Sequence, residues 1–236
     1  TQICLENAAA DFPNDIVIQE NLGGFYFFNR EYDAAKTQLA IVHKLDPENT
    51  VHHSNYLSAR VMAGDDPDEI ILELQALIKK DPSVSNLFLT MAKLLNDKNQ
   101  PSEAKKFLEQ IPVTDNTNIK YFTQMGISYA LEKDFENAKK YLLLEYEKNP
   151  TDIGVLKNLG KLYSDWGDET GNVEKYYTSI GYYQSILQID PNNVVAKSGL
   201  DYSAEKIQEI YQNFYLKIYF ISIAVFARLV FLIWSF

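Results

Sequence analysis

Apolar residues recur along most of this chain at the spacing of an amphipathic helix. One stretch carries them as Met91, Leu94 and Leu95, and then as Ala104, Phe107, Leu108 and Ile111. Steps of three and four residues place side chains on one face of a helix, so this stretch predicts two helices, each with one apolar face. Because the pattern returns before and after it, we expect an all-α chain of successive helix pairs.

Prolines separate these pairs at nearly constant distances. The stretches DFPND, LDPEN, KDPSV, KNPTD and IDPNN place prolines at 13, 47, 82, 150 and 191, with spacings of 34, 35, 68 and 41. The gap of 68 is twice 34, and the gap of 41 is 34 plus seven. The residue before a proline disfavours helical geometry, and an Asn, Asp, Ser or Thr after it can cap the next helix. Each stretch therefore predicts the end of one helix and the start of another.

A second pattern recurs in register with the prolines. Its first occurrence comprises Leu22, Gly23, Tyr26, Ala35, Leu39 and Pro47, and a later one comprises Met125, Gly126, Tyr129, Ala138, Leu142 and Pro150. This pattern resembles the tetratricopeptide repeat (TPR) family. The resemblance implies a right-handed superhelical solenoid of antiparallel helix pairs, in which stacked pairs share one continuous core.

The resemblance also predicts how the chain is divided. We expect residues 1–15 to be the second helix of a truncated preceding repeat and residues 16–193 to form five repeats. The repeats are 16–49, 51–84, 85–118, 119–152 and 153–193, the last with a seven-residue insertion. Residues 194–213 should form an amphipathic capping helix, with its apolar stripe at Leu200, Ala204, Ile207, Tyr211 and Phe214. We expect this long C-terminal helix to become transmembrane over residues 214–236.

The seven-residue insertion in the last repeat has two interpretations. Seven residues are close to two helical turns, so a second helix longer by that amount keeps its apolar face in nearly the same direction. A protruding helix end is one interpretation. The other is a loop at 168–172 that contacts a partner, because Gly167 and Gly171 bracket an acidic tip.

Composition argues against several classes of function. The formal net charge of −10 disfavours a general attraction to nucleic-acid phosphates, so we expect no nucleic-acid partner. The one cysteine, Cys4, forms no internal disulfide, and the three histidines lack the other ligands of a metal cage. No catalytic or phosphate-binding motif is present. We therefore expect no cofactor, no metal and no enzymatic activity.

The TPR resemblance implies that a partner binds in a groove lined by the first helix of each repeat. The positions implied are the second, fifth, ninth and twelfth of each repeat, namely Val17, Glu20, Gly24, Phe27, His52, Asn55, Ala59, Met62, Asn86, Leu89, Lys93, Asn96, Lys120, Thr123, Ile127, Ala130, Gly154, Lys157, Lys161 and Ser164. The four lysines in this set make the C-terminal half of the groove basic. A cluster of one sign can steer an oppositely charged partner, so one hypothesis is an acidic peptide or protein segment. The alternative is that these lysines are ordinary solvated residues.

The end of the chain, from residue 218 onward, is apolar on every side of a helix apart from Ser222, Arg228 and Ser235. Nineteen helical residues span roughly 29 Å, close to the hydrocarbon thickness of a bilayer. Lys217 predicts one membrane interface and Trp234 the other. Arg228 would then contact a lipid headgroup or another membrane subunit. A helix that docks into a partner protein is the alternative.

Two functions remain open on this basis. One is a non-catalytic, membrane-anchored TPR scaffold that mediates protein-protein interactions and complex assembly. The other is an accessory or regulatory subunit of a membrane-embedded enzyme or of a transport or secretion machine. In both cases we expect a single-pass membrane protein whose repeats face the cytoplasm, because no secretory leader is visible.

Overall fold

The computed structural model describes residues 2–112 and 119–234, with side chains as far as residue 225 and without that of Ile119. Within these residues the chain is helical and contains no strand. The helices are α1 (Gln2–Asp11), α2 (Ile16–Phe28), α3 (Tyr32–Leu45), α4 (Thr50–Ala63), α5 (Pro67–Lys80), α6 (Ser85–Asp97), α7 (Pro101–Leu108), α8 (Ile119–Leu131), α9 (Phe135–Lys148), α10 (Ile153–Thr170), α11 (Val173–Ile189) and α12 (Val194–Trp234). The prediction of an all-α chain is confirmed.

The proline-containing stretches end and start helices as expected. Helices α3, α5, α9 and α11 each end at an Asp or Asn that directly precedes a proline. Two residues after Pro13, the Asp15 carboxylate accepts hydrogen bonds from the backbone N–H groups of Val17 and Ile18, at 3.0 and 3.1 Å. Asn49 and Asp152 cap α4 and α10 in the same way. These bonds satisfy backbone donors that a helix start leaves without partners.

The chain divides into two compact units, Thr1–Glu132 and Lys133–Phe236, which we call unit 1 and unit 2. In unit 1, α6 contacts α4, α5, α7 and α8, so helices from successive pairs share one core. In unit 2, α10 contacts α9, α11 and α12. The division falls between α8 and α9, within the predicted repeat 119–152. The predicted repeat boundaries stay a prediction.

A close approach of helices in unit 1 explains one glycine of the recurring pattern. A Cβ atom added at Gly23 would lie 2.8 Å from the side chain of Leu39. Leu39 packs there in a buried cluster with Ala35, Val42 and Ala59. Glycine at this position lets α2 approach α3 more closely than any larger residue would allow.

The insertion lengthens both helices of the last pair. Helix α10 has 18 residues and α11 has 17, compared with 13 in α2 and 14 in α3. Residues 168–170 are helical, and the chain turns at Gly171, which adopts a left-handed conformation with φ of 66°. The two oxygens of the Asp168 carboxylate accept hydrogen bonds from the hydroxyls of Tyr176 and Tyr202, at 2.7 and 2.8 Å. Asp168 therefore ties α10 to α11 and α12, and the partner-contacting loop stays a prediction.

Within unit 2, all of the described side chains of α12 that are buried lie in its first half. Its buried residues are Ala196, Ser203 and Ile207, whereas Ala204 and Phe214 of the predicted apolar stripe are exposed. Ile207 of the predicted stripe is buried and Leu200 packs against the buried Tyr183 and Ala196, so the stripe coincides only in part with the buried face. Ser203 is buried because its hydroxyl lies 3.1 Å from those of Ser164 of α10 and Ser179 of α11. From residue 211 to residue 225 every side chain is exposed.

The expected membrane anchor requires a correction. Among the residues that the structure describes, no helix carries an apolar stretch long enough to cross a bilayer. A span needs about 20 predominantly apolar residues. For the described part of the chain, the transmembrane assignment of 214–236 and the single-pass localisation are therefore wrong. The side chains of Arg228 and Trp234 lie outside the described residues.

Candidate functional site

A groove in unit 1 lies between the first helices of successive pairs. Helices α2, α4, α6 and α8 line a cavity of about 250 Å³, to which they contribute Phe27, Met62, Leu89 and Lys120 among other residues. A second cavity of about 190 Å³ continues it toward Glu20 and Gly24 of α2. The two cavities share Phe27, Ser58, Asn86 and Lys120. We refer to the surface that lines both cavities as the groove.

A closed set of hydrogen bonds fixes the floor of the groove. The Asn86 Nδ2 amide donates to the Ser54 Oγ and Ser58 Oγ atoms, at 2.8 and 3.1 Å. The Ser58 and Thr90 hydroxyls lie 2.9 Å apart, and the Thr90 hydroxyl donates to the Asn86 carbonyl at 2.8 Å. Because Thr90 uses its proton on that carbonyl, Ser58 must be the donor to Thr90. These bonds hold α4 and α6 in a fixed register.

Charged groups line the groove. In the second cavity the Glu20 Oε1 atom accepts a hydrogen bond from Asn55 at 3.2 Å. Where the two cavities meet, the Lys120 ammonium lies 5.5 Å from the centre of the Phe27 ring. Part of the Lys120 side chain is exposed, but the surrounding walls desolvate its ammonium group and lower its pKa. The Lys93 ammonium, on the same wall, forms an ion pair with Asp97 at 2.6 Å.

The structure brings together only some of the predicted site residues. Asn55, Lys93 and Lys120 line the groove of unit 1. Lys157 and Lys161 belong to α10 in unit 2, where Lys161 binds both oxygens of the Asp165 carboxylate at 2.9 and 2.7 Å. The predicted role of these lysines in partner binding stays a prediction. Lys217 is exposed on α12.

Comparisons with known proteins agree with this architecture. No family model matches the chain, and no curated protein matches it. Among solved structures, TTC0263, a thermophilic TPR protein of Thermus thermophilus, is 15% identical with a TM-score of 0.66, and the match covers 80% of this chain and 99% of that one. PilW, a type IV pilus biogenesis factor, is 15% identical with a TM-score of 0.58 over 84% of this chain and 93% of its own. The fold is of the TPR type.

A larger protein shares the same fold over part of its length. Human IFIT1, solved as a dimer with m7Gppp-AAAA, is 18% identical with a TM-score of 0.69 over 90% of this chain. The match covers 53% of IFIT1, so this chain spans about half of that protein. At these identities the likeness concerns the fold alone.

The residues that line the groove differ in part from the groove residues that the TPR resemblance implied. Ala59 was expected in the groove but is fully buried in the core, against α3. Ser58, Val61, Thr90 and Gln124 line the groove, although they were not expected there. Thr90 and Gln124 are polar residues 34 positions apart, which is the repeat length. That spacing is the signal in the sequence that could have identified them.

Stacked rings in unit 1 surround a histidine whose pKa is lowered. The His43 ring stacks on those of His53 and Tyr56, with centroid distances of 4.0 and 5.7 Å. Burial lowers the pKa of His43, and the nearby His53 lowers it further, while Glu73 partly opposes both effects. The His53 Nε2 atom lies 3.2 Å from a Glu73 oxygen. Within the described residues, the buried His43 Nδ1 atom has no hydrogen-bond partner.

We expect unit 1 to lose stability as the pH falls below the ordinary histidine value of 6.5. The unfolded chain then binds more protons at His43 than the folded chain does, so the free energy of unfolding falls until His43 titrates in the folded state. The His43→Phe variant retains a ring against Tyr56 but has no proton to bind. Its midpoint of thermal unfolding, followed by circular dichroism, should fall less between pH 7 and pH 5 than that of the wild type. Parallel pH profiles would contradict this assignment.

Proposed function

We propose that this chain is a non-catalytic protein-interaction module whose groove binds a segment of a partner protein. The observation that supports the proposal is the groove itself, which runs between four first helices and has a floor held rigid by hydrogen bonds. A rigid floor lowers the conformational entropy that a partner segment must overcome on binding. Through such binding the chain would act as a scaffold in complex assembly.

The partner segment is acidic in this proposal. Lys93 and Lys120 lie on the same stretch of the groove, and Lys120 sits where its surroundings already desolvate it. An opposite charge gains more when water is excluded from the pair. Lys157 and Lys161 of unit 2 extend the predicted basic set and require a separate test.

A photocrosslinking experiment tests whether the groove is the binding surface. A diazirine-bearing aliphatic amino acid is placed at Met62, which lines the groove, and in a matched variant at Leu72, which is 67% exposed on α5. After irradiation in cells, we expect protein adducts specific to position 62. Identical adducts from both positions would contradict the proposal.

Charge reversal tests separately whether Lys93 with Lys120 and Lys157 with Lys161 contribute to partner binding. We expect Lys93→Glu with Lys120→Glu to weaken partner binding by about tenfold or more, since 1.4 kcal/mol corresponds to a factor of ten. The adducts at position 62 should decline accordingly. The same reversal at Lys157 and Lys161 tests whether unit 2 contributes. If neither pair affects the yield of adducts, the acidic preference is wrong.

The exclusion of nucleic acid is a further prediction. It rests on the net charge of −10, which disfavours a general attraction to nucleic-acid phosphates. Because the TPR-type protein IFIT1 was solved with m7Gppp-AAAA, short capped and uncapped RNA oligonucleotides are the appropriate probes. We expect no change in their fluorescence anisotropy at physiological salt. Saturable binding that weakens as salt is added would contradict the prediction.

A further inference from the structure

The cavity of about 250 Å³ has a mainly apolar surface. Val61 and Met62 of α4, Leu89 of α6 and Phe27 of α2 form this apolar surface, and we call this part of the groove the lobe. Leu89 is 5% exposed, so it forms the base of the lobe, while Met62 is partly exposed at its wall. A concave apolar surface of this kind gains free energy when an apolar group displaces water from it.

The size of this lobe suits one side chain and little more. Ligand sites for drug-sized molecules usually have volumes of about 300 to 1,000 Å³, which is larger than this cavity. An apolar cavity of about 150 Å³ is enough to hold benzene. A leucine, methionine or phenylalanine side chain can therefore enter the lobe, whereas a whole small-molecule ligand would project from it.

The chemistry at the edge of the lobe points to the neighbouring residue of the partner. Lys120 and Lys93 both line the same cavity as the apolar residues. Desolvation lowers the pKa of Lys120, so a carboxylate placed beside this ammonium would stabilise its charged form. The complementary group is therefore an acidic side chain close to the apolar one.

We propose that the groove recognises a short partner segment in which a large apolar residue enters the lobe of Val61, Met62 and Leu89, and an adjacent Asp or Glu pairs with Lys120. This inference rests on the proposed function, since it names the chemistry of the segment that the groove binds. The apolar residue supplies most of the affinity, and the carboxylate supplies selectivity against segments with a basic or neutral neighbour.

Peptide selection on this chain tests whether an apolar residue and an adjacent acidic residue are recognised together. A phage library of random twelve-residue peptides is selected on the wild type and on four single-substitution variants. Met62→Trp fills the lobe, Met62→Ala enlarges it, Lys120→Glu reverses its charge, and Lys79→Glu reverses an exposed charge on α5 outside the groove. Thermal unfolding of each variant establishes that it is folded before selection.

The wild type should enrich peptides that have a large apolar residue next to Asp or Glu. Met62→Trp should reduce binding of the selected peptides by about tenfold or more, and Met62→Ala should shift the preference toward larger apolar residues. Lys120→Glu should replace Asp and Glu by Lys and Arg in the enriched peptides. Lys79→Glu should select the same peptides as the wild type.

Two outcomes of the selection would contradict the proposal in different ways. If peptides bind in a way that Met62→Trp abolishes, but without an enriched acidic neighbour or without a response to Lys120→Glu, the pairing is wrong and the groove remains the binding surface. If no peptide is enriched, or if Met62→Trp leaves every selected peptide bound, the pairing is wrong and the proposed function loses its support as well.

Discussion

Replacing Gly199 by alanine should destabilise unit 2 by about 2 kcal/mol, within the range of about 1 to 3 kcal/mol typical of an overpacked core. A Cβ atom at this position would lie 2.3 Å from the Tyr183 ring. The same ring also lies against Gly160, where an added Cβ atom would be 2.9 Å away. Tyr183 is 5% exposed and belongs to a buried cluster with Leu156, so the ring has little room to move.

The control for this prediction lies on the neighbouring helix. Gly181 is exposed on α11, and an added Cβ atom there has no neighbour within 4 Å. Gly181→Ala should stabilise the protein by about 0.5 to 1 kcal/mol, because alanine in a helix loses less conformational entropy on folding. Urea unfolding can be followed by tryptophan fluorescence, since both tryptophans belong to unit 2.

A second substitution tests whether the Tyr183 ring is the cause. In a Tyr183→Leu background, the destabilisation by Gly199→Ala should be clearly smaller, because the atoms that clash are gone. An equal effect in both backgrounds would assign the loss to another contact. The same would follow if Gly181→Ala and Gly199→Ala changed the free energy of unfolding by similar amounts.

Replacing Arg60 by methionine should destabilise unit 1 by about 2 to 3 kcal/mol at pH 7. Arg60 has a side chain that is 12% exposed, and it forms ion pairs with Glu73 at 2.5 Å and with Asp65 at 3.2 Å. Breaking a buried ion pair from one side costs about 3 to 5 kcal/mol. The Asp65 carboxylate is 27% exposed and that of Glu73 is 37% exposed, so solvent screens part of that loss. Methionine retains the aliphatic part of the side chain, so the change reports mainly on the charge.

The effect of Arg60→Met should shrink in acid. A hydrogen bond from Lys36 lowers the pKa of Asp65, and Arg60 lowers it further. Burial raises the pKa of Glu73, but hydrogen bonds from Arg60 and His53 outweigh it and leave the pKa below its ordinary value. Lowered carboxyl pKa values stabilise the folded state above the unfolded values of 3.8 and 4.5, and this stabilisation is lost as the pH falls through the folded values.

Thermal unfolding of the wild type and of Arg60→Met at pH 7 and near pH 3 measures whether the difference in their stability becomes smaller in acid. The control is Lys80→Met, because Lys80 is 48% exposed and pairs with Glu48, which is 87% exposed. Such a pair typically contributes about 0 to 1 kcal/mol, so this variant should unfold nearly as the wild type does. A constant difference for Arg60→Met across this pH range would show that the ion pairs are not its origin.

Local chemistry made much of the fold predictable. Asp46, Asp81 and Asp190 each precede a proline and end a helix, and Asp15 and Asn49 cap the helices that follow. These outcomes depend on residues within a few positions of one another, so a single sequence contains the information. The repeat of the pattern then indicated paired helices with a shared core, which the TPR-type neighbours support.

The candidate site was predictable only in part. Asn55, Lys93 and Lys120 were expected in a groove and line one, because the repeat period assigns equivalent positions to successive first helices. Ala59 was misplaced, since its position in the repeat could not reveal that α3 packs against it. The predicted membrane span was also wrong for the described part of the chain, because no helix there carries an apolar stretch long enough to cross a bilayer.

The sequence by itself determined where helices begin and end, that they pair, and that the chain is acidic, because these properties follow from neighbouring residues and from composition. Only the tertiary structure decided which lysines share a cavity, that the Tyr183 ring packs against both Gly160 and Gly199, and that α12 buries Ser203 while Phe214 stays exposed. Those facts depend on contacts between residues far apart in the chain. They are set by how side chains of particular shape fill a dense interior, which no local pattern records.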